Sequence, residues 1–258
     1  MHSDRIPINK FLNKISNHAV PDILTTLEAD CIDVTLTSPP FYDDELYILD
    51  NGEIEFGWKT YTDYQEHLSL VFKELLRITK PGGKVILVLS KSPKINSELY
   101  VEYYWPCLHD LITECHKIGW ILIDEIVWIH NQPVYETYSK IAPNARLNPF
   151  HNWISVLEKP GGHESDEIPT LMKQNSIWYI DSEGPINEYN TLYGSFPNEL
   201  IEKSLSLWSR EGDVILDPYA GSGQTIRVAI NIKRKGVGFE IDRKWEHLWT
   251  DLNEQTKE

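Results

Sequence analysis

Short β-rich runs alternate with amphipathic helical stretches along most of this chain, and that alternation constrains the fold more than any other feature. The runs occupy 32–36, 84–90, 120–129, 153–158, 213–217 and 236–241. Helical periodicity is clearest over 62–79, where Leu68, Val71, Phe72, Leu75 and Leu76 fall on one face. It returns over 198–208, 224–233 and 243–253. Lys80-Pro81-Gly82-Gly83 stops the first helix and turns directly into an apolar strand. Strands interleaved with helices in this way predict an α/β protein with a largely parallel sheet and helices on both faces. Two segments break the pattern. Residues 41–56 carry six acids (Asp43, Asp44, Glu45, Asp50, Glu53, Glu55) and no Lys or Arg, and residues 160–190 hold several Gly, Pro and Ser. Both read as loops or small insertions, so 1–258 reads as one domain.

The run Val214-Ile215-Leu216-Asp217 leads into Pro218-Tyr219-Ala220-Gly221-Ser222-Gly223 and then a helix from about Gln224. A strand, a Gly-rich turn and a helix N-terminus aim backbone N–H groups at a ligand. The next strand ends in Glu240, whose carboxylate can accept from both hydroxyls of a ribose. A dinucleotide and S-adenosylmethionine both suit such a loop, and a tight turn that binds nothing has the same pattern. Asp217 favours the second ligand, because a carboxylate attracts an ammonium and a sulfonium and repels a pyrophosphate.

A second turn follows the strand at 33–36. Thr37-Ser38-Pro39-Pro40-Phe41 lacks two N–H donors, and Ser38 is itself restricted by the proline after it. The result is a stiff, extended turn at the C-terminal end of a strand, presenting carbonyl acceptors, a hydroxyl and an aromatic face. An amino group on a planar base needs two acceptors for its hydrogens and a ring to stack on. A Pro-Pro that merely stiffens a loop beside a core Phe would look alike when seen alone.

Together the two turns resemble the S-adenosylmethionine-dependent amino-methyltransferases of DNA, which methylate cytosine N4 or adenine N6. Ser38-Pro39-Pro40-Phe41 is similar to that family's catalytic tetrapeptide, and Asp217-Pro218-Tyr219-Ala220-Gly221-Ser222-Gly223-Gln224-Thr225 to its cofactor loop. Gly238-Phe239-Glu240-Ile241-Asp242 resembles its ribose-binding strand, and Ser195-Phe196-Pro197-Asn198-Glu199-Leu200 the Phe-Pro segment that touches the cofactor's methionine end. The tetrapeptide precedes the cofactor loop, which is the motif order of the β group. The resemblance spans about Asp22 to Asp242 and implies a Rossmann-like methyltransferase fold in circularly permuted order. It assigns catalysis to Ser38, Pro39, Pro40 and Phe41. Cofactor binding falls to Thr37, Phe196, Asn198, Asp217, Pro218, Ala220, Gly221, Ser222, Gly223, Thr225, Glu240 and Asp242. Ser at the head of the tetrapeptide is more similar to the cytosine-N4 members than to the adenine-N6 ones.

Charge complicates this reading. Against 24 Lys and Arg stand 39 Asp and Glu, for a net charge of −15, so the surface as a whole cannot coat DNA or an anionic membrane. The interval 159–194, where the family carries a target-recognition region, is short. From 160 to 190 it holds six acids against Lys173 alone, a poor surface for phosphates. Lys140, Arg146 and His151, with Lys91 and Lys94, are better candidates for contacting DNA. A second copy or a basic partner subunit could supply what is missing, and an amino group on RNA or protein is the alternative substrate. The stretch after Asp242 has room for one helix, so one strand of a full methyltransferase sheet must come from elsewhere or be absent. Cys31, Cys107 and Cys115 have no metal-type spacing and read as isolated buried thiols, with no metal site. No run reaches the roughly 18 apolar residues of a membrane span, and the start has no secretory pattern. A cytoplasmic protein is expected.

Overall fold

The computed structural model describes residues 5–42, 47–48, 54–56, 58–89, 92–95, 101–131, 151–162, 175–181 and 196–255. In chain order its elements are β1 (Lys14–Asn17), α1 (Asp22–Thr26), β2 (Ile32–Thr37), β3 (Tyr47–Ile48), β4 (Ile54–Phe56) and α2 (Tyr61–Ile78). Next come β5 (Thr79–Leu89), β6 (Ser92–Ile95), β7 (Val101–Trp105), α3 (Cys107–Ile118), β8 (Ile121–Ile129), β9 (His151–Glu158) and β10 (Ile177–Tyr179). The last are α4 (Asn198–Trp208), β11 (Val214–Asp217), α5 (Gln224–Asn231), β12 (Lys235–Glu240) and α6 (Thr250–Gln255).

Among the described residues, eight strands form one sheet in the order β1-β12-β11-β2-β5-β9-β8-β10. The neighbours from β1 through β5 are parallel, β9 runs antiparallel to both β5 and β8, and β10 is parallel to β8. This is the Rossmann-like, mostly parallel sheet expected. Its alternation explains the two-sided burial. In β5, Val85, Leu87 and Leu89 face a core with α1, α2 and α3, while Ile86 and Val88 face another with α4 and α5.

The strand missing from the C-terminal end comes from the N-terminus. β1 pairs with β12 from Lys14↔Val237 to Asn17↔Glu240. It carries one buried residue, Ile15, and so escapes a search for apolar runs. Three further expectations change. The segment 41–56 contains the antiparallel pair β3–β4. β10 lies inside the segment read as loop over 160–190 and pairs with Val127–Ile129 of β8. The stretch 243–253 is a 3₁₀ helix, Arg243–Leu248, followed by α6. Helix α3 was also not anticipated.

Helix α2 begins in a capping box, with Thr60 Oγ1 accepting from Asp63 N–H at 3.1 Å and Asp63 Oδ2 accepting from Thr60 N–H at 3.0 Å. It buries Tyr64, Leu68, Val71, Phe72, Leu75 and Ile78. Where it ends, the register of β5 against β2 jumps from Ile32↔Thr79 to Val34↔Lys84. Lys80–Gly83 therefore bulge from the ladder, and Lys80 Nζ returns to Asp33 Oδ1 at 2.7 Å. All three cysteines are buried and outside any disulfide among the described residues. Among the described residues no helix is long and apolar enough to cross a membrane.

These contacts rank two substitutions. Thr60→Ala is expected to cost about 1 kcal/mol through loss of the cap. Phe72→Ala, which empties a fully buried site, is expected to cost about 3–5 kcal/mol. Urea unfolding of the two variants checks the order.

Candidate active site

The C-terminal ends of the parallel strands lie side by side, so the two turns singled out in the sequence emerge next to one another. Strand β11 pairs with β2 through Ile215↔Val34 and Leu216↔Thr35. One step further, Thr37 Oγ1 donates to Asp217 Oδ1 at 2.8 Å, a buried hydrogen bond between residues 180 positions apart. Ser38, half-buried, and Pro39, buried, continue from β2; Pro218, buried, continues from β11. The carbonyl of Pro40 accepts from Tyr64 Oη at 3.2 Å, which ties the proline turn to α2. Phe41 is partly buried against the α2 side of the core. The next residue, Tyr42, packs edge-on against Tyr61 and Trp105, each at 5.1 Å between centroids.

The glycine loop is held from several directions. Asp217 Oδ1 also accepts from Tyr219 N–H at 3.1 Å, and Thr225 hydrogen-bonds the same carboxylate. Glu240 takes Gly221 N–H on Oε2 and Asp242 N–H on Oε1, both at 2.8 Å. Ala220, Ser222 and Thr225 are buried. Gly223 adopts φ +85°, and a Cβ there would collide with Ile15 Cδ1. Gly221, at φ +49°, is different: a Cβ on it would meet no described atom within 4 Å. The loop is thus packed from beneath and open at Gly221.

Asp217 is 4% exposed. Burial pushes its carboxyl up to about 6, against the hydrogen bonds from Thr37, Thr225 and Tyr219, with Glu240 raising it further. Glu240 is raised as well, by burial first, although the N–H groups of Asp242 and Gly221 oppose the shift. Two buried carboxylates beneath the loop suit a cationic ligand and disfavour a phosphate. Among the described residues no cluster of three His, Cys, Asp or Glu could hold a metal.

Of the remaining candidates, Phe196 packs against the α4 side of the core. Asn198 opens α4 and meets Gln224 at the start of α5 through a side-chain hydrogen bond. The Asp242 side chain caps the following 3₁₀ helix, accepting from Lys244 N–H at 3.0 Å, and pairs with Lys244 Nζ at 2.5 Å. His151 begins β9, two residues before Trp153, which pairs with Leu89 at the end of β5. It therefore lies at the same end of the sheet as the two turns. Lys94 lies on β6, in the two-stranded ribbon with β7. Lys91, Lys140 and Arg146 lie outside the described residues.

Three contributors were not foreseen. Tyr64 and His67 reach the two turns from α2, with His67 Nε2 3.1 Å from Tyr219 Oη. Trp249 reaches the glycine loop from the C-terminal segment. Tyr219 carried a signal: a Tyr where the family commonly has Phe adds a hydroxyl that needs a partner when buried.

The raised Asp217 carboxyl predicts a pH dependence. Its ordinary value is 3.8, so between about 4 and 6 the folded, ligand-free protein holds a proton that the unfolded chain has released. Stability from this group is complete below about 4 and is lost as pH rises through about 6. Asp217→Asn removes that loss. Relative to the parent, the variant is expected to gain up to about 3 kcal/mol between pH 4 and pH 8, measured by urea unfolding at both.

Comparison with known proteins shows what the chain as a whole is similar to. Residues 32–250 match the model of the N6_N4_Mtase family, described as DNA methylase. The chain is 28% identical over 245 residues to the orphan methyltransferase M.BamHII of Bacillus amyloliquefaciens, covering 84% of this chain and 86% of that one. It is 26% identical to the type II methyltransferase M.MjaI of Methanocaldococcus jannaschii, with 84% and 83% covered. Among solved structures it resembles TTHA0409 of Thermus thermophilus, called a putative DNA modification methylase and complexed with S-adenosyl-L-methionine. That match has a TM-score of 0.69 at 23% identity, covering 92% and 91%. It also resembles the PvuII DNA methyltransferase, called cytosine-N4-specific, with a TM-score of 0.71 at 18% identity, covering 92% and 85%. With a family model spanning both turns and every strand of the sheet from β2 to β12, the chain belongs to the N6_N4_Mtase family of DNA methylases.

Proposed function

We propose that the protein methylates DNA, moving a methyl group from S-adenosylmethionine to the exocyclic amino group of a base extruded from the duplex, with cytosine N4 as the acceptor. The observation that carries this reading is the Thr37–Asp217 hydrogen bond, which sets the Ser-Pro-Pro-Phe turn beside the glycine loop. When bound, S-adenosylmethionine supplies an electrophilic methyl group. Asp217 offers its carboxylate to the cofactor's positive charge, and Glu240 accepts from the ribose hydroxyls. The opening at Gly221 leaves room for close approach. Phe196 and Asn198, at the start of α4, complete that side of the cofactor site.

Extruding the base costs a few kcal/mol, which Phe41 offsets by stacking on the ring. Ser38 Oγ and the Pro39 carbonyl accept hydrogen bonds from the two amino N–H groups, which localises the nitrogen lone pair and aims it, and one of those protons leaves to solvent once the nitrogen carries the methyl group. Positioning and polarisation then carry most of the catalysis. Ser38 supports cytosine N4 over adenine N6. The motif order, with the tetrapeptide first, supports the β group. Relatives named as type II methyltransferases support a place in restriction and modification, acting on DNA inside the cell. The chain reads as one catalytic domain, with 159–194 as a reduced recognition region. His151, Lys91, Lys94, Lys140 and Arg146 are assigned to DNA contact. The acidity of 160–190 favours help in holding DNA from a second copy or a basic partner subunit.

Incubation with labelled S-adenosylmethionine and DNA, followed by nucleoside analysis, tests the reading. N4-methylcytosine is the expected product. N6-methyladenine would overturn the base assignment, and label only in RNA or protein would overturn the substrate class. Phe41→Ala is expected to lower methylation by about 5- to 150-fold through lost stacking, and Ser38→Ala by at least about tenfold. Full activity in either variant would remove the role given to that residue.

A further inference from the structure

The stretch after Asp242 folds back against the glycine loop. Trp249, 1% exposed, donates its indole N–H to Gly221 O at 3.0 Å. Its ring lies against Gly223, where a Cβ would come within 3.4 Å of Trp249 Cδ1. Gly221 is therefore gripped at both ends, its N–H by Glu240 and its C=O by Trp249. That carbonyl belongs to the peptide whose other half is the N–H of Ser222, so fixing the oxygen also fixes the direction of the Ser222 donor.

Trp249 is itself anchored firmly. The Arg227 guanidinium grips the Asp251 carboxylate with two bonds of 2.5 and 2.7 Å and also reaches the Leu248 carbonyl. Asn253 accepts from Ile15 N–H and donates to Ile15 O, both at 3.1 Å, as a neighbouring strand would on the outer edge of β1. Leu248, Trp249 and Leu252 form a small separate core with Ile15, Ala220 and Ile226. The segment thus has two separable parts: Asn253 covers the sheet edge, and Trp249 meets the loop.

We infer that Trp249 is a positioning residue for the methyl donor, holding the Gly221–Ser222 peptide in the orientation that receives S-adenosylmethionine. The inference rests on the reading of the glycine loop as the cofactor site. Phenylalanine keeps most of the ring and removes the N–H. Trp249→Phe is therefore expected to raise the Kd for S-adenosylhomocysteine by about fivefold, the worth of one neutral hydrogen bond. The KM for the methyl donor should rise in parallel, with a smaller change in kcat.

Asn253→Ala serves as the control, lowering the Tm while leaving the Kd as it was. Calorimetric titration and thermal unfolding of the full chain supply both readouts. Trp249→Tyr, which also lacks a donor at the indole position, answers the question if Trp249→Phe does not fold. An unchanged Kd in the folded Trp249 variant would overturn the inference. So would an equal rise in Asn253→Ala, since the effect would then belong to anchoring of the segment. Asp217→Asn separates the two levels. Weakened binding there with none in Trp249→Phe defeats only the positioning role, whereas undiminished binding in Asp217→Asn defeats the loop assignment and this inference with it.

Discussion

A single buried hydrogen bond, Thr37 Oγ1 to Asp217 Oδ1, joins the two turns that leave β2 and β11. Each turn leaves the end of a strand, and the two strands are neighbours only because the parallel ladder places β11 against β2. Residues so far apart in the chain meet reliably when the sheet registers them. The packing of β2, β5 and β11 on two faces specifies that register, because a slip of one residue would send each apolar side chain to the opposite core, where it is not shaped to fit. The placement of the two turns is thus inherited from the sheet, and the core packing on its two faces holds them together as directly as any side chain at the turns.

The same arrangement carries a cost. Asp217 and Glu240 are carboxylates raised by burial, so the ligand-free fold gives up stability at neutral pH to keep negative charge under the glycine loop. Every donor the chain supplies, from Thr37, Thr225 and the N–H groups of Tyr219, Gly221 and Asp242, lowers that cost without removing it. A cation arriving at the loop recovers what remains. Buried negative charge of this kind favours a cationic ligand over a phosphate.

Much of this was legible in the sequence, and the reasons for the rest are physical. Strands buried on both faces, such as 214–217, read as continuous apolar runs, and Gly and Pro mark the turns after them. β1 did not read as a strand because an edge strand packed on one side needs only Ile15. Its partners, Gly238 of β12 and Asn253 of α6, lie more than 220 residues away. β10 is three residues long inside a polar stretch, too short to show a period. Helix α3 has the right spacing in Leu108, Leu111 and Cys115, yet begins at Pro106-Cys107 without a capping side chain. At the site, the tetrapeptide and the glycine loop were visible as local strings. Tyr64, His67 and Trp249 were not, because they reach the turns from other elements, far away in the sequence.

The net charge of −15 bears on DNA less than its size suggests. Exposed charges more than about 8 Å apart are largely screened at physiological ionic strength, so acids on the helical faces contribute little at the loop-bearing end of the sheet. What matters is the charge within about that distance of the turns. Phe41 both ends the Ser-Pro-Pro-Phe turn and begins an acidic stretch of the sequence, while His151 stands at the strand ends and Lys94 lies on β6 of the β6–β7 ribbon. A net count over the whole chain is therefore a poor guide to the potential at the loop-bearing end of the sheet.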